Sequence, residues 1–129
     1  MRDTGAMQIL TGVDLVSIPR IAHSLQNPRF LKRIFSVQER ELFMKSSCPL
    51  ERISANFAAK EAFSKALGTG VRGFSLSEVS VLRDEVGCPY FYLTGKAADI
   101  AQRRKLSFSV SLSHTADMAC AFVVAYQRS

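Results

Sequence analysis

The sequence predicts a single-domain α+β fold, a mostly antiparallel sheet packed with helices, and three observations carry that prediction. Apolar residues recur at helical spacing through the first half of the chain, between Ile18 and Leu67. Beyond Gly73 the period falls to two, as where Phe108, Val110 and Leu112 alternate with serines. Strands and helices do not alternate regularly, which argues against a doubly wound parallel sheet. The 129 residues form one domain with a core that needs no disulfide staples. Its ordered part is expected to run from about residue 7 to 127, after a frayed leader.

Taken in order, Ile9–Leu15 is apolar and β-branched and reads as a strand ending near Asp14. Ile18, Ile21, Ala22 and Leu25 predict a short helix that stops before Asn27-Pro28, with Arg20 off its apolar stripe. Phe30, Leu31, Ile34 and Phe35 form an apolar cluster. Ser36-Val37-Gln38-Glu39 is a capping-box sequence opening a helix to about Lys45. A longer helix, from about Leu50 to Leu67, ends at Gly68 as its C-cap. Val79–Leu82 and Tyr90–Leu93 read as strands around the turn Gly87-Cys88-Pro89. One more helix spans Gly95 to Lys105, and Ser107–Ser113 and Ala119–Tyr126 close the chain as strands. No internal repeat or linker interrupts this order.

Composition excludes several classes. At 47% apolar and 22% charged residues the chain is neither disordered nor of low complexity. Its apolar stretches are too short to cross a bilayer, and its start lacks the apolar core of a secretory signal, so a cytoplasmic location is expected. Three widely spaced cysteines, Cys48, Cys88 and Cys120, make neither a zinc motif nor a disulfide framework and read as reduced thiols. The glycine-rich stretch Gly68–Gly73 follows a helix and lacks the lysine and hydroxyl residue of a P-loop. A net charge of +6 points to an anionic partner: nucleic acid, a phosphorylated cofactor or an acidic protein.

Three groups can carry chemistry. Phe57, Glu61 and Lys65 lie four apart on one helix face, either as an ordinary ion pair contributing about 0.3–0.5 kcal/mol or at the rim of a site. Asp14 is either the N-cap of the following helix or a ligand. Ser111-Leu112-Ser113-His114-Thr115 places polar groups at a strand end, where loops present function. A serine-hydrolase elbow is absent, so a histidine or lysine beside a phosphate is the better reading. Asp14 and Glu61 offer the one or two carboxylates that Mg²⁺ takes alongside phosphate oxygens.

In this order, Gly12-Val13-Asp14 with Arg20-Ile21, Phe57-Ala58-Ala59-Lys60-Glu61-Ala62-Phe63-Ser64-Lys65-Ala66 before Gly68-Thr69-Gly70, Gly87-Cys88-Pro89, and Ser111–Thr115 resemble the holo-[acyl-carrier-protein] synthases. These are the short bacterial 4′-phosphopantetheinyl transferases, and the resemblance runs from Gln8 to Tyr126. It implies transfer of the phosphopantetheine arm of coenzyme A to a serine of apo acyl carrier protein. Adenosine 3′,5′-bisphosphate is released, and the expected setting is fatty acid biosynthesis. It implies Mg²⁺ held by Asp14 and Glu61, charge neutralisation by Lys65, and Glu61 as base, directly or through a water. It places Ser64, Lys65, Gly68, Gly87, Pro89, Ser113, His114 and Thr115 along coenzyme A. Arg20 and Arg29 are the implied docking cations for an acidic carrier. Because longer relatives carry two copies of the fold, it also implies a homotrimer with sites between subunits.

Two departures bear on nucleotide binding. Asn56 stands where many relatives carry an arginine, so a basic contact to coenzyme A phosphate is either weaker or supplied by Arg52, one turn earlier. Cys88 fills the middle of Gly-x-Pro, where a basic residue is often seen. A non-catalytic nucleic-acid module built on the +6 charge and Arg103-Arg104-Lys105 is the competing class. Those three cations are more simply explained by a helix C-terminus. No nucleic-acid-binding motif accompanies them.

Overall fold

In the computed structural model, which describes residues 7–128, the first strand β1 (Ile9–Ser17) leads into three short helices. These are α1 (Ile18–Ser24), α2 (Phe30–Ile34) and α3 (Val37–Met44). The long helix α4 (Pro49–Leu67) follows, then the hairpin β2 (Val79–Arg83) and β3 (Pro89–Leu93). Helix α5 (Gly95–Arg103), β4 (Leu106–His114) and β5 (Met118–Gln127) complete the chain. The expected leader falls mostly on residues 1–6, outside the described residues.

The antiparallel strands divide into two sheets, a three-stranded one in the order β1-β5-β4 and the two-stranded β2-β3. The first strand thus pairs with the last, Gly12 opposite Val123 and Asp14 opposite Ala121. Helix α4 crosses the inner face of the larger sheet. Its buried face is small, with Ala58, Ala59, Ala62 and Ala66 packing on Ala121, Val123 and Ala125. Small side chains let the backbones approach closely, and Gly12 is the limiting case. A Cβ there would collide with the carbonyl oxygen of Ala62 and lie 2.7 Å from the Ala66 nitrogen. That contact fixes the height of α4 over β1, and so the spacing between Asp14 and the outer face of α4.

Phe63 anchors the other side of α4 against Phe74, Phe91 and Phe108, with ring centroids 5.8, 5.2 and 4.6 Å away. Between the helix and β2 lies a polar cluster sealed from water. Glu39 closes the capping box of α3 by accepting from the Ser36 amide at 3.1 Å. The same carboxylate takes hydrogen bonds from Lys60 Nζ, from Asn56 Nδ2 at 2.9 Å and from the Val81 amide at 3.2 Å. Lys60 also donates to the carbonyls of Leu76 at 2.9 Å and Val79 at 2.7 Å. Burial lowers the pKa of Lys60, opposed by the charge and hydrogen bond of Glu39. Every buried side-chain polar atom among the described residues has a partner.

Two expectations change. Ser17, not Asp14, caps α1, accepting from the Arg20 amide at 3.3 Å. Strand β1 runs past Asp14 because its ladder with β5 continues to Ser17 opposite Met118. The apolar cluster at Phe30 folds as α2, which the Arg29 amide starts by donating to the Asn27 side chain at 3.0 Å. The Gly68 cap and the Ser36 box form as predicted, Gly68 at φ 80°. The outer face of the larger sheet is uncovered: Ile9, Val13 and Leu15 stand exposed beside Phe122 and Tyr126.

Candidate active site

Strand β1 and helix α4 bring three of the predicted groups together. Lys65 Nζ donates to Asp14 Oδ1 and to the Val13 carbonyl oxygen, each at 3.0 Å. One turn back, Glu61 faces the same rim. Burial is the main reason its pKa is raised; the nearby Asp14 charge adds to this and Lys65 opposes it. Two carboxylates thus crowd a half-buried edge with one ammonium beside them. Asp14, Arg20, Phe57 and Glu61 line a cavity of about 300 Å³. Phe57, its ring 6.0 Å from that of Phe30 and tilted to it by 34°, forms part of the apolar lining. The donor set is two hard oxygens, which suits Mg²⁺ completed by phosphate and water. Among the described residues no group of three or more metal-ligating side chains exists, so protein ligands alone would not enclose an ion.

A second, larger cavity of about 510 Å³ lies where α4 begins, between the β2-β3 turn and the end of β4. Gly87, Pro89, Ser113 and His114 line it, as do Arg52 and Arg83. His114 Nδ1 sits 3.2 Å from the Thr115 carbonyl oxygen. A carbonyl only accepts, so this contact needs a proton on Nδ1. Gly87 turns with φ 88°, and the Asp84 carboxylate holds that turn through the Val86 and Cys88 amides at 3.0 and 2.9 Å. The two cavities share no lining residue.

Other predicted residues line neither cavity, save Arg20 in the smaller one. Ser64 is buried and its hydroxyl donates to the Lys60 carbonyl at 3.1 Å. Thr115 Oγ1 accepts from the Asp117 and Met118 amides at 3.3 and 3.1 Å, bracing the β4-β5 turn, and Gly68 caps α4. Arg20 and Arg29 are both exposed.

Asn56 is the departure that the structure explains. Its amide sits inside the polar cluster, donating to Glu39 and to the Val81 carbonyl at 3.0 Å. Its Oδ1 accepts from the Arg83 guanidinium at 3.0 Å. Sequence reasoning missed Arg83, which reaches Asn56 across 27 residues of chain with no local signal. Burial, and then the charge of Arg52, lower the Arg83 pKa to about 10, against the pull of Glu39.

The profile of the 4′-phosphopantetheinyl transferase superfamily matches residues 11–123. The holo-[acyl-carrier-protein] synthase of Caldanaerobacter subterraneus subsp. tengcongensis is 40% identical over 121 residues, covering 92% of this chain and 95% of that one. The crystal structure of the Neisseria meningitidis holo-[acyl-carrier-protein] synthase superposes with a TM-score of 0.85 at 34% identity, covering 90% of this chain and 96% of that one. The Bacillus anthracis synthase, in complex with coenzyme A (3′,5′-ADP), gives 0.81 at 31%, covering 95% and 100%. A profile match over residues 11–123, and a fold and sequence shared along almost the whole length with these proteins, place the chain in the holo-[acyl-carrier-protein] synthase family of the 4′-phosphopantetheinyl transferases.

Proposed function

We propose that this enzyme transfers 4′-phosphopantetheine from coenzyme A to a serine of apo acyl carrier protein in a Mg²⁺-dependent reaction, releasing adenosine 3′,5′-bisphosphate. The carrying observation is the convergence of Asp14, Glu61 and Lys65 on one rim. The carrier serine oxygen forms a bond to the pantetheine-side phosphorus, and the bond from that phosphorus to the ADP half breaks. The serine proton passes to Glu61, directly or through a water. Lys65 places its ammonium where negative charge gathers on the departing phosphate. Asp14 and Glu61 would hold Mg²⁺, which when bound neutralises pyrophosphate charge as a Lewis acid.

Arg20 lines the same cavity as Glu61, which supports its role in seating an acidic carrier beside the base, with Arg29 exposed on the next turn. Gly87, Pro89, Ser113 and His114 are assigned to the nucleotide end of coenzyme A in the larger cavity. Ser64, Gly68 and Thr115 then act through backbone geometry, by bracing α4 and the β4-β5 turn. Two cavities without a common residue, together with the exposed Val13, Leu15, Phe122 and Tyr126, support a homotrimer. In it one subunit supplies the carboxylate rim and its neighbour the nucleotide pocket. No described helix is long and apolar enough to cross a membrane. A cytoplasmic role in fatty acid biosynthesis is the proposed setting.

The test is intact-mass analysis of apo acyl carrier protein incubated with enzyme, coenzyme A and Mg²⁺, with an EDTA control. One phosphopantetheine is gained with Mg²⁺ and none with EDTA. Full transfer by Glu61→Gln would refute the role of that carboxylate.

A further inference from the structure

We propose that Lys65 competes with the divalent cation for Asp14, so that the enzyme holds its metal weakly by itself and takes it up together with coenzyme A. This inference rests on the reading of Asp14 and Glu61 as the metal's ligands.

Two cations have a claim on one carboxylate. Lys65 Nζ donates to Asp14 Oδ1 and to the Val13 carbonyl oxygen, each at 3.0 Å, so the ammonium bridges side chain and backbone of β1, the edge strand of its sheet. The Asp14 side chain is 15% exposed and has little water to fall back on, whereas that of Lys65 is 56% exposed. Burial raises the Glu61 pKa most, the Asp14 charge raises it further and Lys65 lowers it, so the three groups lie within one another's field. Arg20 lines the same cavity but pairs with neither carboxylate: among the described residues the salt bridges are Lys60–Glu39 and Lys65–Asp14. Lys65 is thus the one described cation paired at this rim.

The charges decide what binds together. With Glu61 ionised, two carboxylates and an ammonium leave the rim with a single net negative charge. A divalent cation added to that set turns it positive, and the ammonium opposes it across the shared Asp14 carboxylate. The pyrophosphate of coenzyme A brings the missing anions. Its oxygens complete the shell of a hard cation that takes only one or two carboxylates, and they offer the ammonium another acceptor. Release from Asp14 costs little, because an exposed ion pair holds weakly and the lysine stem is flexible. The same side chain therefore restrains Asp14 until the substrate binds and serves the departing phosphate afterwards.

The experiment counts free Mn²⁺ by its electron paramagnetic resonance signal, with Mn²⁺ as a paramagnetic stand-in for Mg²⁺, on the intact enzyme at pH 8 with no carrier protein present. Wild type and Lys65→Met are each titrated with and without coenzyme A. Without coenzyme A, Lys65→Met is expected to bind Mn²⁺ about tenfold more tightly than the wild type, the scale of one partly screened charge contact. Lys65→Arg keeps the charge and the weak binding, which separates competition from a change of shape. Coenzyme A tightens Mn²⁺ binding by a larger factor in the wild type than in Lys65→Met, and Mn²⁺ tightens coenzyme A binding by the same factor. An Mn²⁺ affinity in Lys65→Met no higher than in the wild type, or an equal gain from coenzyme A in both, overturns the inference while Mg²⁺-dependent transfer stands. Mn²⁺ binding that persists unchanged in both Asp14→Asn and Glu61→Gln sinks the metal-ligand reading and the inference with it.

Discussion

Removing the ammonium of Lys60 should cost stability in a way that depends on pH. Lys60→Met keeps the shape of the stem but leaves the fully buried Glu39 without its counter-charge, and the Leu76 and Val79 carbonyls without a donor. Breaking one side of a buried ion pair costs about 3–5 kcal/mol. The abandoned carboxyl can escape that cost by taking a proton. An ordinary glutamate titrates near pH ~4.3, so protonating it at pH 7 costs about 3.7 kcal/mol, at about 1.36 kcal/mol per pH unit. The predicted loss at pH 7 is therefore about 4 kcal/mol, or roughly 15 °C in melting temperature for a chain of this length. It should shrink by about 1.4 kcal/mol for each pH unit down towards pH 5. Denaturant unfolding of variant and wild type at matched protein concentration, from pH 5 to 8, reads this directly. A loss that is independent of pH would refute the charge argument and leave packing and the two carbonyls as the cause. A loss below about 1 kcal/mol at pH 7 would show that the cluster does not hold α4 against β2.

Three further predictions concern the site. Gly12→Ala forces α4 away from β1 and should cost about 2 kcal/mol or more in denaturant unfolding, with transfer falling further than stability because Asp14 is two residues away. The folded state holds the Glu61 proton more firmly than the unfolded chain does. Its contribution to stability is thus full below the ordinary glutamate pKa and lost as pH rises through the raised one. Carboxyl NMR should show that midpoint falling in Asp14→Asn and rising in Lys65→Met; no movement in either would refute the assigned causes. Arg20→Glu should raise KM for the carrier about tenfold at low salt and leave kcat nearly unchanged, with the effect fading at about 0.5 M salt. An effect of the same size at both salt levels would remove the electrostatic basis of docking.

The sequence determined those features whose causes are local. The capping box at Ser36 and Glu39, the Gly68 cap and the alternation of Phe108, Val110 and Leu112 each depend on neighbours within a few residues, and each is where the pattern put it. The four-residue spacing of Phe57, Glu61 and Lys65 fixes a common face on any helix. With Asp14, those residues were legible as a candidate site before any coordinates, and the family motifs added the chemistry.

Tertiary structure decided what lies across the chain. Pairing of the first strand with the last carries β1 past Asp14, so the cap falls to Ser17 and the carboxylate is left facing Lys65. Lys60 and Glu61 are neighbours in one motif, yet the turn of α4 buries the first in a structural cluster and presents the second at the rim. Ser64 reads as a site residue and is buried in the helix's inner face. The bond between Asn56 and Arg83 joins a helix to a strand that nothing local links to it. Spacing along a chain reports which side chains share a face; which faces meet depends on how the whole core packs, and only the folded molecule contains that information.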